Sequence, residues 1–407
     1  MRVLLINQTF YPDIAATAQH AHDLARHLVA EGHEVTAIAS RSIYGEKGAA
    51  LPSEEVVDGI RIVRVGASLF GKTSIAARLF DFGMFYARAF WSALRLPRQD
   101  VVVCFTTPPF IALIGWFMHL SRRTKFVYWV MDLYPDVAVA CGVMSRRSPV
   151  TWMLERLNRF CLRHADRVVV LGRCMRAQVL AKGVRADHVE TINVWSDPVE
   201  VGSDPGGSNR YRDEWKVGDR LLVMYSGNFG IGHDVRTIAA AVEALRDETR
   251  VLFAFVGGGK RKDELLESLR MRGLSNFVDA PYQPRARLDE LLGAADVHLA
   301  SLARGATGIM VPSKIYGVLA AGRPLVYVGE ADGEAARVVV EERCGIVIAP
   351  GDAKGLAGVL RSFASDRTGV AAMGGRARQA MLERWGAPHA MRKWLELLKA
   401  VVTKGRR

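Results

Sequence analysis

Residues 221–261 read LLVMYSGNFGIGHDVRTIAAAVEALRDETRVLFAFVGGGKR. An apolar, β-branched run, Leu221–Tyr225, leads into a glycine-rich loop and then a stretch of helix length. A second apolar run, Val251–Val256, ends in Gly257-Gly258-Gly259 with two cations attached, Lys260 and Arg261. Strand, loop, helix and strand in that order make a βαβ unit, and repeated units build a parallel sheet covered by helices.

The same rhythm extends both ways. Downstream, Phe277–Val278, Val297–Leu299, Pro324–Val328 and Ile346–Ile348 read as strands, and a final helix runs from His389 to Val402. Upstream, residues 197–212 carry linker composition, rich in Pro and Gly. Before them, Val3–Ile6, Val35–Ala39, Ile60–Val65, Val101–Cys104, Phe126–Val130, Val168–Val170 and Val189–Ile192 alternate with helical segments. One of these places Ala21, Leu24, Ala25 and Leu28 on a common face and stops at Gly32. A length of 407 residues suits two or three domains. The expectation is an α/β protein of two doubly wound, Rossmann-like parallel-sheet domains facing a cleft. Residues 1–196 form the first, joined by a last helix over 387–407; residues 213–386 form the second; 197–212 link them.

The charge is lopsided. Lys plus Arg number 55 against 42 acids, a formal charge of +13. Residues 61–125 hold ten bases and two acids, so most of the excess sits in one window. There a helix from Ser74 to Leu96 interleaves Phe80, Phe82, Phe85, Tyr86, Phe90 and Trp91 with Arg78, Arg88 and Arg95. That composition suits an anionic bilayer surface, and residues 74–125 are the candidate contact; a core-facing helix with arginines turned to water has the same composition. No RNA- or DNA-binding module accompanies the charge, so nucleic acid is not expected as a partner. The five cysteines are scattered without Cys-x-x-Cys spacing, which points to a reducing, cytoplasmic setting and no zinc knuckle. The apolar runs are too short for a signal peptide or a span of ~20 residues.

Open parallel sheets bind ligands beyond the carboxyl ends of their strands, so the loops there are the candidate sites. After the first strand, Asn7 to Asp13 and Ile14-Ala15-Ala16-Thr17 enter a helix whose N-terminus suits an anion, or make an ordinary βα turn. Ala16, Thr17 and His20 are the candidates there, with Thr107 after the fourth strand. Asp132 follows the fifth strand, placed to act as a general base or to accept a ligand hydroxyl, or else as a turn residue. In the second half, Asn228, Gly230 and His233 lie in a glycine-rich loop that is neither G-x-G-x-x-G nor a P-loop. Pro312-Ser313 opens a helix that Ser313 can cap, which puts Lys314 in the first turn, where a cation calls for an anion to offset it unless it is a plain surface lysine.

Taken together, Phe10-Tyr11-Pro12, Gly32-His33-Glu34-Val35, Asp132-Leu133-Tyr134-Pro135, Ala165-Asp166-Arg167-Val168, Tyr225-Ser226-Gly227-Asn228, Ala295-Asp296-Val297 and Pro312-Ser313-Lys314 with Ala320-Ala321-Gly322-Arg323-Pro324 resemble family 4 glycosyltransferases of the GT-B fold, over essentially the whole chain. The resemblance is strongest to the bacterial surface-polysaccharide branch. It implies a retaining, metal-independent hexosyl- or N-acetylhexosaminyl-transferase without a cofactor, taking its sugar from a nucleotide sugar, usually a UDP-sugar. The implied acceptor is a lipid-linked saccharide, met by a peripheral protein on the cytoplasmic face of the membrane. The family's Glu-x7-Glu pair falls on Ile309 and Gly317, so both carboxylates are absent, and Ala15-Ala16 and Met131 replace other common residues. The family's loop Arg and Lys correspond to Asn228 and His233, which leaves Lys260, Arg261 and Lys314 to neutralise phosphate and Glu334 to replace the ribose carboxylate. A sugar-nucleotide epimerase on the same fold and a basic nucleic-acid-binding protein are the competing readings.

Overall fold

The computed structural model describes residues 1–43, 51–66, 75–196 and 209–404, with side chains for all of these except 75–80 and 404. Contacts divide the chain into two units. One holds residues 1–139, 144–193 and 391–407; the other holds 140–143 and 194–390.

The first unit is built on an eight-stranded sheet of β1 (Arg2–Ile6), β2 (Glu34–Ser40), β3 (Glu54–Val57), β4 (Ile60–Val65), β5 (Val101–Cys104), β6 (Lys125–Val130), β7 (Arg167–Val170) and β8 (Val189–Thr191). Its order is β3-β4-β2-β1-β5-β6-β7-β8, and only β3 runs antiparallel. The second unit carries β9 (Leu221–Asn228), β10 (Val251–Gly258), β11 (Phe277–Ala280), β12 (Val297–Ser301), β13 (Leu325–Val328) and β14 (Gly345–Ile348), ordered β11-β10-β9-β12-β13-β14. In each sheet the strand order reverses once, between β1 and β5 and between β9 and β12, and such switch points are where doubly wound sheets bind ligands.

Every strand read from the sequence is present, because parallel strands covered by helices on both faces are apolar throughout. β5 is buried at all four residues, and helix Ala16–Ala30 buries Ala18, Ala21, Leu24, Ala25 and Leu28. The strand the sequence did not reveal is β3. It lies at the sheet edge with Glu54 exposed, so it lacks an apolar run. Its signal is the Asp58-Gly59 turn, with φ of 51° and 76°, the geometry of a two-residue hairpin.

The two Ala-Asp motifs have one shared use. Asp166, just before β7, accepts the Phe126 N–H of neighbouring β6 at 2.9 Å and pairs with Lys125. Asp296, just before β12, accepts the Leu222 N–H of neighbouring β9 at 2.7 Å and pairs with Arg212 at 3.1 Å. Each carboxylate satisfies the N–H of the second residue of the adjacent strand and holds its register.

Three expectations shift. The linker expected over 197–212 is entered by helix Arg210–Glu214, whose Tyr211 is buried in the second unit; residues 197–208 lie outside the described residues. The C-terminal helix spans Ala387–Lys404 and joins the first unit from Met391 onward, with Trp394 fully buried 4.5 Å from Trp129. Ser313 precedes helix Lys314–Ala320 but makes no capping bond: its backbone is already helical, so its hydroxyl does not turn back onto the first turn.

The basic window is also less of a surface than its composition suggests. Arg64 is buried, paired with Glu55 and donating to Tyr11 O at 2.8 Å. Arg61 pairs with Glu54, Lys125 with Asp166, and Arg122 donates to Leu94 O and Leu96 O. Helix Ile75–Arg95 turns Phe85, Ala89 and Ala93 inward, while Arg88, Trp91 and Arg95 are exposed. Lys72 and Ser74 fall outside the described residues, as do the side chains of Arg78 and Phe80. Among the described residues, no helix is long and apolar enough to cross a membrane.

Candidate active site

In the first unit the loops after β1 and β5 are knitted together. The Gln8 N–H donates to Thr107 O at 2.7 Å. Buried Asn7 donates through Nδ2 to Thr9 O at 2.7 Å and to Thr9 Oγ1 at 3.2 Å, and Thr9 and Thr17 share a hydroxyl hydrogen bond of 3.0 Å. This network fixes Thr17 in the first turn of helix Ala16–Ala30, where no side chain caps the N-terminus. Ala16 is exposed beside it, while His20 is buried against the unit's own interior.

Asp132 leaves the end of β6, and its backbone N–H donates to Thr106 Oγ1 at 3.3 Å. The carboxyl is largely withdrawn from water, which raises it to about 6. It therefore titrates near neutrality. Four residues on, Asp136 takes a 2.8 Å ion pair from buried Lys182, which also holds Glu155 of helix Pro149–His164 at 2.7 Å. Lys182 was not anticipated, because a lysine at a helix end reads in sequence as a surface residue.

In the second unit the loop after β9 and the start of the helix after β10 form one cradle. β9 and β10 stay paired through Gly227–Gly257 and Asn228–Gly258, so part of the glycine-rich segment is strand. Gly257, with φ of 116°, approaches Gly227 so closely that a Cβ would sit 2.2 Å from Gly227 O. Sheet closure thus requires this glycine before any ligand does. Past the strand ends, Phe229 N–H donates to Gly258 O at 2.8 Å and Arg261 N–H to Phe229 O at 3.1 Å.

Lys314 lies across this cradle. Its Nζ donates to Asn228 O at 2.7 Å and rests 4.3 Å from the Tyr225 ring centroid. Packing against two aromatic rings strips its solvent and lowers it to about 7. His233 bonds Ser301 O at 2.6 Å through Nδ1, so that nitrogen carries the proton and Nε2 keeps its lone pair. Burial first and Lys314 second push His233 down to about 3, so the ring is neutral. Gly230 lies within the same loop, and Ala303 N–H reaches back to Gly232 O at 2.8 Å.

The remaining candidates divide. Lys260 is exposed at the first turn of helix Lys260–Met271. Arg261 is already paired with Glu264 and bonded to Ile231 O, so its charge is partly spent. Ser313 stands half-exposed next to Lys314, whereas Glu334 is buried at the start of helix Glu334–Glu341. Beside it, unforeseen from sequence, a hollow of about 510 Å³ opens at the ends of β13 and β14, lined by Arg304, Gly329, Glu330, Asp332, Val347 and Pro350. Glu330 and Asp332 are the carboxylates that line this hollow, and Glu330 Oε2 accepts the Gly305 N–H at 3.4 Å.

Two doubly wound α/β units, each with its polar loops at a switch point, define the GT-B class of transferases. Residues 16–195 match the Glycosyl transferase 4-like domain family and residues 220–366 match Glycosyl transferases group 1. The chain belongs to the family 4 glycosyltransferases of the GT-B fold. It is 25% identical over 342 residues to the putative colanic acid biosynthesis glycosyl transferase WcaI of Escherichia coli K12, covering 81% of this chain and 84% of that protein. It is 28% identical over 318 residues to the probable glycosyltransferase WbjE of Pseudomonas aeruginosa, covering 77% of each. The structure of Anabaena Alr3699/HepE, solved with UDP and glucose, superposes with a TM-score of 0.74 at 15% identity, covering 98% of this chain and all of that one.

Proposed function

We propose that this glycosyltransferase moves a hexosyl or N-acetylhexosaminyl group, with retention, from a UDP-sugar to a lipid-linked saccharide in cell-surface polysaccharide assembly, at the inner face of the membrane. Lys314 is the observation that carries the reading. A lysine held over a glycine cradle at a switch point, half stripped of water and paired with no carboxylate among the described residues, is a site suited to diphosphate. The names of WcaI and WbjE support polysaccharide assembly, and the UDP and glucose held by the Anabaena protein support the donor class.

The chemistry follows from charge. The sugar C1–O bond to the β-phosphate breaks and its electrons pass to the leaving oxygen. Protonated Lys314, exposed Lys260 and the N–H groups of the cradle stabilise that charge, in place of a metal. The acceptor hydroxyl forms the new C1–O bond on the same face and gives its proton to the departing phosphate. Asp132 accepts a hydrogen bond from the acceptor and orients it, with Thr17 and Thr107 bounding the same loops. Glu330, which lines the hollow, and Glu334, buried at the start of the helix that follows, are the carboxylates assigned to the ribose.

A thermal-shift screen of nucleotides and nucleotide sugars tests this. Stabilisation by UDP and UDP-sugars, and not by GDP- or ADP-sugars, is expected. No response to any nucleotide overturns the reading.

A further inference from the structure

Helix Pro149–His164 carries an exposed stripe that the transfer chemistry does not use, although its Arg163 also donates to Lys182 O at 2.9 Å. Ser148 caps its N-terminus, accepting the Val150 N–H at 3.3 Å, and Thr151, Asn158, Cys161 and Leu162 face inward. On the outer side stand Trp152, Arg156, Arg159 and Arg163, spaced four, three and four apart and all exposed. Trp152 is 62% exposed and neighbouring Met153 56%, an unusual cost for side chains of that size. The Arg156 guanidinium lies 4.8 Å from the Trp152 ring centroid, and a shallow hollow of about 480 Å³ runs along the stripe. Residues 146–164 contain five arginines and a single acid, Glu155, and that carboxylate is already held by Lys182 and Arg159. The helix packs beside Ala112–Arg122 through Trp116 and Phe160, 4.9 Å apart, and there Leu120 is 67% exposed.

We propose that the outer face of helix Pro149–His164 is the surface by which the protein docks on an anionic phospholipid bilayer. Trp152 and Met153 enter the head-group boundary while Arg156, Arg159 and Arg163 meet lipid phosphates. Charge decides the occupant. An apolar protein partner would not select a face where five arginines stand against one acid, whereas a negative membrane surface attracts it even though Arg159 also holds Glu155 and Arg163 also donates to Lys182 O. The inference rests on the membrane location proposed above but moves the contact from residues 74–125, where much of the charge is paired internally, to a helix outside that window.

The test is flotation of the full chain with phosphatidylcholine vesicles, with and without phosphatidylglycerol. Wild type floats with the anionic vesicles only. Arg156→Gln lowers binding about fivefold, and Trp152→Ser/Arg156→Gln abolishes it, while Arg88→Gln/Arg95→Gln binds like wild type. Equal binding of wild type to both vesicle types, or wild-type binding by the helix variants, overturns the proposal. If only the Arg88/Arg95 variant fails, the contact is the other helix and the proposal is likewise overturned. UDP-induced thermal shifts recorded on the same variants report separately on the donor site and confirm folding.

Discussion

Lys314 spends its resting state on two aromatic rings and a backbone carbonyl, and burial holds it at about 7. A diphosphate favours the charged form, so binding raises this group and takes up protons from solution. Affinity for UDP is therefore flat below pH 7 and falls as pH rises above it. Calorimetry in buffers of different ionisation enthalpy reads that uptake, and Lys314→Ala abolishes it while lowering kcat/KM about 100-fold. Asp132 shows the opposite sign of strain. Its carboxyl is raised to about 6, so folding disfavours the ionised form, and stability falls as pH rises from near 4 to near 6. Asp132→Asn is expected to melt higher than wild type at pH 7.5 and to match it near pH 4. The same change removes about 100-fold in kcat and erases the acid limb of the pH–rate profile, since activity requires the carboxylate above pH 6. An unchanged limb would show that another group titrates there.

At the scale of elements, the pairing of β9 with β10 past their apolar runs is the least forgiving feature. Gly257→Ala forces a methyl against Gly227 O and costs about 3 kcal/mol, read as a lowered urea midpoint. The same contact shows why glycines here were legible while their reason was not. In sequence, a glycine demanded by a neighbouring strand and one demanded by a phosphate look alike. Helix starts hide a similar ambiguity: Lys260, Arg261 and Lys262 are adjacent, yet the first is exposed, the second is paired with Glu264, and the third is buried on Gly257 O, Ala280 O and Asp279. About 100° of rotation per residue separates three roles that composition merges. β3 escaped notice for a different reason, as an edge strand carries no apolar run.

For the whole molecule, the two-sheet plan was written in the alternation of apolar runs, because burial on both faces leaves each strand little compositional choice. The net charge was not so readable. Arg64, Arg122 and Lys125 count toward +13 but are engaged inside the first unit, whereas Arg156 of helix Pro149–His164 is exposed over the Trp152 ring. Position in three dimensions, not sign, separates a structural cation from a contact. Hydrogen exchange with and without UDP checks how the candidate sites are partitioned. Protection is expected at 226–233, 258–261 and 303–316 in the second unit, and unchanged exchange is expected at 7–17 and 106–107 in the first.

The return of the last helix to the first unit has a consequence for how the protein is made. Trp129 packs on Trp394, which is translated only after the whole of the second unit. The first unit is thus begun before the second and finished after it. Until Trp394 is made, Trp129 lacks that cover, while everything the second unit needs, through Ala390, is already present. A nascent chain stalled before Met391 would hold a complete second unit tethered to an unsealed first one, and a frameshift past Ala390 would damage the unit encoded first.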